Sequence, residues 1–158
     1  MKTAFEHHDH HACTGAALAR ADELVAARGL RLTPVRRRVL EILLERHQAM
    51  GAYEVLERLA AEGLGKQPPV AYRALDFLVE HGLAHRIQRL NAFAACQSGH
   101  EDDHAPAFLI CRSCQTVAEL DDELLRTNLA QAAGNAGFVV ERATVEALGL
   151  CRNCMETT

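Results

Sequence analysis

From residue 16 to residue 81 the apolar positions recur at intervals of three and four, the spacing of helices with one buried face. The pattern predicts a first helix over Ala16 to Ala27, ended at Gly29. A second follows in the run LTPVRRRVLEILLE, where Thr33 suits the N-cap and Pro34 the first helical position. Its inner face is Val35, Val39, Ile42 and Leu43. A third helix covers Ala52 to Glu62, with Val55, Leu56 and Leu59 inward, and stops at Gly63 and Gly65. Pro68 and Pro69 open a fourth, Val70 to about His81, which Gly82 closes. Val70, Ala74, Phe77, Leu78 and His81 share its inner face, and Tyr72, Arg73, Asp76 and Glu80 lie opposite. Two helices joined by a tight glycine turn, the second exposing an arginine near its start, make a helix-turn-helix pattern.

The period then shortens. Residues 83–89 and 91–96 read as two short strands about a turn, the wing of a winged-helix domain, with Arg86 and Arg89 placed for phosphate contact. QSGHEDDHAP is polar and turn-rich and reads as a hinge. Beyond it, 107–111 and 116–119 are strands. A helix opens at Asp121 with Leu124, Leu125 and Leu129 inward and ends by Gly134. Residues 138–146 alternate as a further strand, with Val139, Ala143 and Val145 on one side. The fold class is therefore α+β. The expected organisation is a His-rich disordered tail (1–13), a winged-helix DNA-binding domain (14–96), a hinge (97–106) and a small α/β dimerisation domain (107–158). The last is too small to bury its sheet alone, so a homodimer is expected.

Charge sharpens this division. Residues 1–90 carry 13 Lys/Arg against 11 Asp/Glu, whereas 91–158 carry 4 against 10. The basic share lies where a polyanion would be met. Arg36, Arg37 and Arg38, taken by charge alone, read better as a solvated helix face. No run of about 18 apolar residues occurs, so no membrane span is expected. The first 13 residues lack an apolar signal-peptide core, which makes the cytoplasm the expected compartment. Six cysteines there point to metal more than to disulfides.

The chemistry lies in the C-terminal half. Cys111/Cys114 and Cys151/Cys154 form two Cys-x2-Cys pairs separated by 36 residues. Four thiolates with no open position describe a structural zinc site. A second set, His85, Cys96, His104 and Glu119, would join the wing to the second domain through one ion. Spacing alone leaves that set open between a metal site and ordinary residues. His100, Asp102 and Asp103 are rival ligands. One thiolate, two imidazoles and a carboxylate suit zinc better than iron(II) or manganese. A zinc hydrolase or deaminase would need an open metal position. The deaminase Pro-Cys-x-x-Cys signature is absent, since Ile110 and Leu150 precede the pairs. A metal-storage protein, which the HHDHHAC tail would fit, has no need of a helix-turn-helix.

The segments LTPVRRRVLEIL, AYRALDFLVEHGLAHRI, HAPAFLICRSC and EALGLCRNC resemble the ferric uptake regulator superfamily, and YRALDFLVEHGLAH resembles its zinc-responsive branch. The resemblance implies a transcriptional repressor of zinc uptake genes and not an enzyme. It implies two zinc ions per subunit: a structural one on Cys111, Cys114, Cys151 and Cys154, and a regulatory one on His85, Cys96, His104 and Glu119. It also implies contact with palindromic operator DNA through Tyr53, Tyr72 and Arg73. The linker holds only His100 and His104 where the iron and peroxide branches are richer in histidine, which argues against iron sensing.

Overall fold

The computed structural model describes residues 4–5, 10–97 and 107–156. Four helices come first: α1 (His10–Ala27), α2 (Pro34–Leu44), α3 (Ala52–Ala61) and α4 (Pro68–Glu80). A hairpin follows, made of β1 (Ala84–Ile87) and β2 (Ala92–Ala95) around a 3-10 turn over 88–90. Then come β3 (Ala107–Cys111), β4 (Val117–Leu120), α5 (Glu123–Asn135), β5 (Val145–Gly149) and the short α6 (Arg152–Glu156). This is a helix-turn-helix with its wing, followed by an α+β unit, as the sequence pattern predicts.

α1 starts at His10 rather than near Ala16, so residues 10–13, assigned by sequence to the tail, are helical. Gly15 lies within this stretch, and one interior glycine costs about 1 kcal/mol, too little to stop a helix. α2 is capped as expected, with Thr33 extended and its side chain accepting from the Arg36 amide at 3.4 Å. Val39, Ile42, Leu43, Val55, Leu59, Leu75 and Leu78 form the centre of the helical core. On α4 the buried face takes in Ala71 and Leu75, which the sequence reading left out, while Val70 and His81 are only half-buried. Tyr72, Arg73, Asp76 and Glu80 are exposed, as predicted.

The wing faces two ways because strand side chains alternate. Ala84, Phe93 and Ala95 join the helical core. Ile87 and Ala94 join a second cluster with Phe108, Ile110 and Val117 of the sheet. The same alternation puts His85 beside Ile87 and Cys96 beside Ala94, on the face toward the sheet. The sheet has the order β4-β3-β5, with β3 antiparallel to β4 and parallel to β5. The stretch before α3 ties both parts together. Met50 and Phe93 exchange backbone hydrogen bonds of 2.8 Å, and the Val117 amide donates to the His47 carbonyl at 2.8 Å.

Two expectations for the C-terminal part fail within one chain. Leu124 and Leu129 of α5 are not inward, and Leu124 is 72 % exposed. Residues 138–144 form no strand, and Val139 is 83 % exposed. The physical reason is shared. A strand needs a neighbour and an apolar helix face needs a cover, and neither is supplied here by the described residues of the same chain.

The turn between α3 and α4 sets the helix-turn-helix angle. Gly65 has φ +147°, and a Cβ there would meet Val70 Cγ1 at 2.8 Å. Gly65→Ala is therefore expected to destabilise by about 1–3 kcal/mol, through strain at a backbone conformation that favours glycine. Gly15→Ala, in open space on α1, should instead stabilise by up to about 1 kcal/mol. Urea unfolding of the two variants measures these opposite signs.

Candidate metal centres

The first centre is built by two knuckles. In the first, Gln115 adopts a left-handed backbone, φ 60°, and its amide donates to the Cys111 carbonyl at 2.9 Å. That sharp turn brings Cys114 back beside Cys111. In the second, the start of α6 does the same for Cys154, whose amide donates to the Cys151 carbonyl at 3.1 Å. Parallel pairing of β3 with β5 then sets the knuckles side by side, with Arg112 donating to the Gly149 carbonyl at 2.9 Å. The four cysteines are unlinked by disulfides, and their sulfurs all lie within 4.8 Å of one another.

These sulfurs fit a zinc ion. At about 2.3 Å from one centre, tetrahedral sulfurs stand about 3.8 Å apart, and Cys114 Sγ and Cys151 Sγ are 3.8 Å apart. The electrostatics agree. Burial opposes ionisation of Cys111, but the amides of Cys114, Cys151 and Ser113 outweigh it and hold the thiol below its usual range. The Thr116 hydroxyl and amide lower Cys114 likewise. Ser113 pulls Cys154 down, yet its crowding by Cys151, burial, Cys111 and Cys114 pushes it up. The neighbours thus pull the thiols of one cluster in opposite directions.

The second centre lies on the seam between wing and sheet. His85 Nε2 is 3.3 Å from Glu119 Oε1, and Cys96 Sγ is 3.9 Å from the same oxygen. The three ligand atoms lie within 4.8 Å of one another. Oxygen and nitrogen ligands about 2.0 Å from one ion stand about 3.3 Å apart in a tetrahedron, so this edge also fits zinc. The His85 and Glu119 side chains are 12 % and 2 % exposed. The His85 ring lies 5.2 Å from that of Phe108, and the Gln97 amide donates to Glu119 Oε2 at 2.8 Å. Burial lowers the His85 pKa, but hydrogen bonds to Cys96 and Glu119 and the nearby negative charge overcome it and raise the pKa to about 9. His104, the fourth member expected from sequence, lies outside the described residues, as do His100, Asp102 and Asp103.

Two contacts that sequence reasoning missed cross the same seam. Gln48 Nε2 donates to the Cys114 carbonyl at 3.0 Å, and the Glu146 carboxylate accepts from the Gln88 and Arg89 amides. No motif marks either residue, because each acts through strand register.

The candidate DNA surface is separate. Tyr53 and Tyr72 are exposed and pack edge to face with centroids 6.5 Å apart, and Arg73 is exposed beside Tyr72 on α4. The arginines of α2 are engaged within the chain. The Arg36 guanidinium lies 3.7 Å over the Phe77 ring, Arg37 pairs with Asp22, and Arg38 grips Glu62 at 2.6 and 2.7 Å. The solvated-face reading of Arg36–Arg38 therefore needs one amendment: the face is tied down by its own acids and by a ring.

Relatives share this architecture. Residues 27–148 match the model of the ferric uptake regulator family. The zinc uptake regulation protein of Escherichia coli (strain K12) is 35 % identical over 139 residues, spanning 88 % of this chain and 81 % of that protein. A zinc uptake regulator solved in complex with zinc and DNA superposes with a TM-score of 0.84 at 35 % identity, over 91 % of this chain and 96 % of that one. Apo XcZur, at 36 % identity over 90 % of this chain and 98 % of its own, superposes with a TM-score of only 0.53. Fold, family model and relatives converge, and the chain belongs to the ferric uptake regulator family.

Proposed function

We propose that this protein is a zinc-responsive transcriptional repressor of zinc uptake genes, binding palindromic operator DNA as a homodimer when a regulatory zinc site is filled. The observation that carries the reading is the meeting of His85 and Cys96 of the wing with Glu119 of the sheet, all within 4.8 Å. Family membership makes the protein a regulator and not an enzyme. No helix among the described residues is long and apolar enough to cross a membrane, and the cytoplasm, where the DNA is, is the compartment the reading requires.

His85 and Cys96 are fixed to the DNA-reading part, and Glu119 to the other. Closing the three donors therefore fixes the angle between the parts. Zinc, when bound, supplies a tetrahedral tie between donors and no bond-making chemistry. His104 is assigned as the fourth donor. Within the chain itself, His85 is held by hydrogen bonds to Cys96 and Glu119, which keep part of the seam together. Moving the closed fraction from about 1 % to about 99 % needs about 10⁴-fold preference for the closed form, roughly 5.5 kcal/mol. Donors shared across a seam are suited to deliver it, since opening the seam destroys the site.

The Cys111, Cys114, Cys151 and Cys154 site is assigned to a second, structural ion, giving two per subunit. It closes the sheet part, whose exposed Leu124, Phe138, Val139 and Leu148 are apolar and suit a second copy. Dimer symmetry would then set the two α4 helices about one helical turn of DNA apart, 34–36 Å or roughly that. Tyr53, Tyr72 and Arg73 are assigned to the operator, with Arg73 able to reach guanine edges.

Operator binding followed against buffered zinc separates the two sites. Cys96→Ser should abolish the zinc response while leaving a folded dimer, and Cys111→Ser should unfold or monomerise the chain. A Cys96→Ser protein with the parent's zinc dependence would remove the regulatory assignment.

A pH effect follows from His85. Its folded pKa is raised, so its stabilising contribution is full below the unfolded value of about 6.5. That contribution is lost as pH rises through the folded value of about 9. Zinc must displace that proton, so apparent zinc affinity should climb with pH up to about 9 and flatten above it as far as His85 is concerned. Calorimetry of the parent in buffers of different ionisation enthalpy should find the His85 share of proton release, about one proton at pH 7.5, fading as pH passes about 9.

A further inference from the structure

Beyond the zinc donors, one side chain joins the wing to the sheet by a contact that needs no metal. Glu146 lies on β5, and its two carboxylate oxygens accept separately from consecutive backbone amides, Gln88 at 2.7 Å and Arg89 at 2.9 Å. These amides open the 3-10 turn at the tip of the wing, where the first N–H groups have no partner within the turn itself. A carboxylate accepting from two amides makes charge-assisted bonds of the stronger kind.

Register shows why this residue matters. Phe108 is the cross-strand partner of Glu119 on β4 and also of Glu146 on β5. Directly paired residues point to the same face of a sheet, so Glu119, Phe108 and Glu146 form one row across three strands. The whole row faces the wing. Glu119 meets His85, Cys96 and Gln97, Phe108 meets the His85 ring, and Glu146 meets the tip. The two carboxylates are two strand spacings apart, about 10 Å. Buried Ile87 and Phe108 fill the space between them.

We infer that Glu146 is a positioning residue: a metal-independent anchor that keeps the wing tip on the sheet and serves as the pivot about which the Glu119 end opens when zinc leaves. The inference rests on the regulatory reading of His85, Cys96 and Glu119. The pivot limits the motion to a swing and stops the wing from drifting free. It also fixes the backbone that carries Arg89, and so where that side chain meets DNA. In the closed form both ends of the row are engaged. In the open form the Glu146 end alone holds, so less order must be regained when zinc returns. Without the anchor the closed form is a smaller fraction of the ensemble, and apparent zinc affinity falls by that fraction.

The test compares amide hydrogen exchange in the full-length dimer, zinc-loaded and after a chelator has emptied the His85 site. The Gln97 amide, held by Glu119, should exchange at least about tenfold faster once zinc is gone, while Gln88 and Arg89 change by less than about threefold. Equal acceleration at all three overturns the pivot. In operator titrations, Glu146→Ala should raise the zinc needed for half-maximal binding about tenfold, or ~1.4 kcal/mol. Glu146→Gln, which keeps an acceptor but not the charge, should recover most of that shift. A Glu146→Ala midpoint within about twofold of the parent overturns the proposal. The exchange comparison uses the parent chain, so it decides even if Glu146→Ala fails to fold. Failure of the underlying reading looks different: parent operator binding would then be indifferent to zinc.

Discussion

The alternation of side chains along five short strands is the constraint on which the rest depends. In the wing it sends Ala84, Phe93 and Ala95 into the helical core and His85, Ile87, Ala94 and Cys96 toward the sheet. In the sheet it sends Phe108, Ile110, Val117 and Glu119 back toward the wing. The DNA-reading part and the sheet part therefore meet along an apolar seam with polar ends. A slip of one residue in either register would turn His85 or Glu119 to the opposite face and dismantle the second metal centre. The α2–α3 connection reinforces the seam, because residues 47–50 bond to β4 at one end and to β2 at the other.

The two centres differ in what they tie together. The four-cysteine centre joins knuckles of one sheet, so its loss removes local folding energy. It touches the DNA-reading part through Gln48, which donates to the Cys114 carbonyl. The His85, Cys96 and Glu119 centre joins the wing to the sheet. Their protonation differs in the same sense. Competing pulls hold Cys111 and Cys114 low and Cys154 high. At the seam, burial lowers the His85 pKa, but hydrogen bonds to Cys96 and Glu119 outweigh it and raise it to about 9.

Much of this could be read from sequence, and the failures have physical reasons. The ends of α2, α3 and α4 were legible because caps and breakers are local: Thr33 with Pro34, Gly63, and Pro68 with Gly82. His85 and Cys96 were legible as wing residues. Their approach to Glu119 was left open by spacing, because it depends on how two separate hairpins pack, and only the family resemblance implied it. Glu146 carried no signal at all. Its role comes from parallel pairing of β3 with β5, which brings residues 58 positions apart into contact. Leu124 and Leu129 misled because no described residue of the same chain covers that face of α5, so they point outward. The helical start at His10 was missed because histidine and cysteine near the N-terminus mimic an unstructured tail.

The central claim is that one zinc ion spans the seam. Anomalous diffraction at the zinc edge from crystals of the zinc-loaded dimer tests it most directly. The expected map has two peaks per subunit: one among the sulfurs of Cys111, Cys114, Cys151 and Cys154, and one about 2.0–2.3 Å from His85, Cys96 and Glu119 donors. A second peak located elsewhere, or a single peak at the four cysteines in protein whose operator binding still depends on zinc, would contradict it.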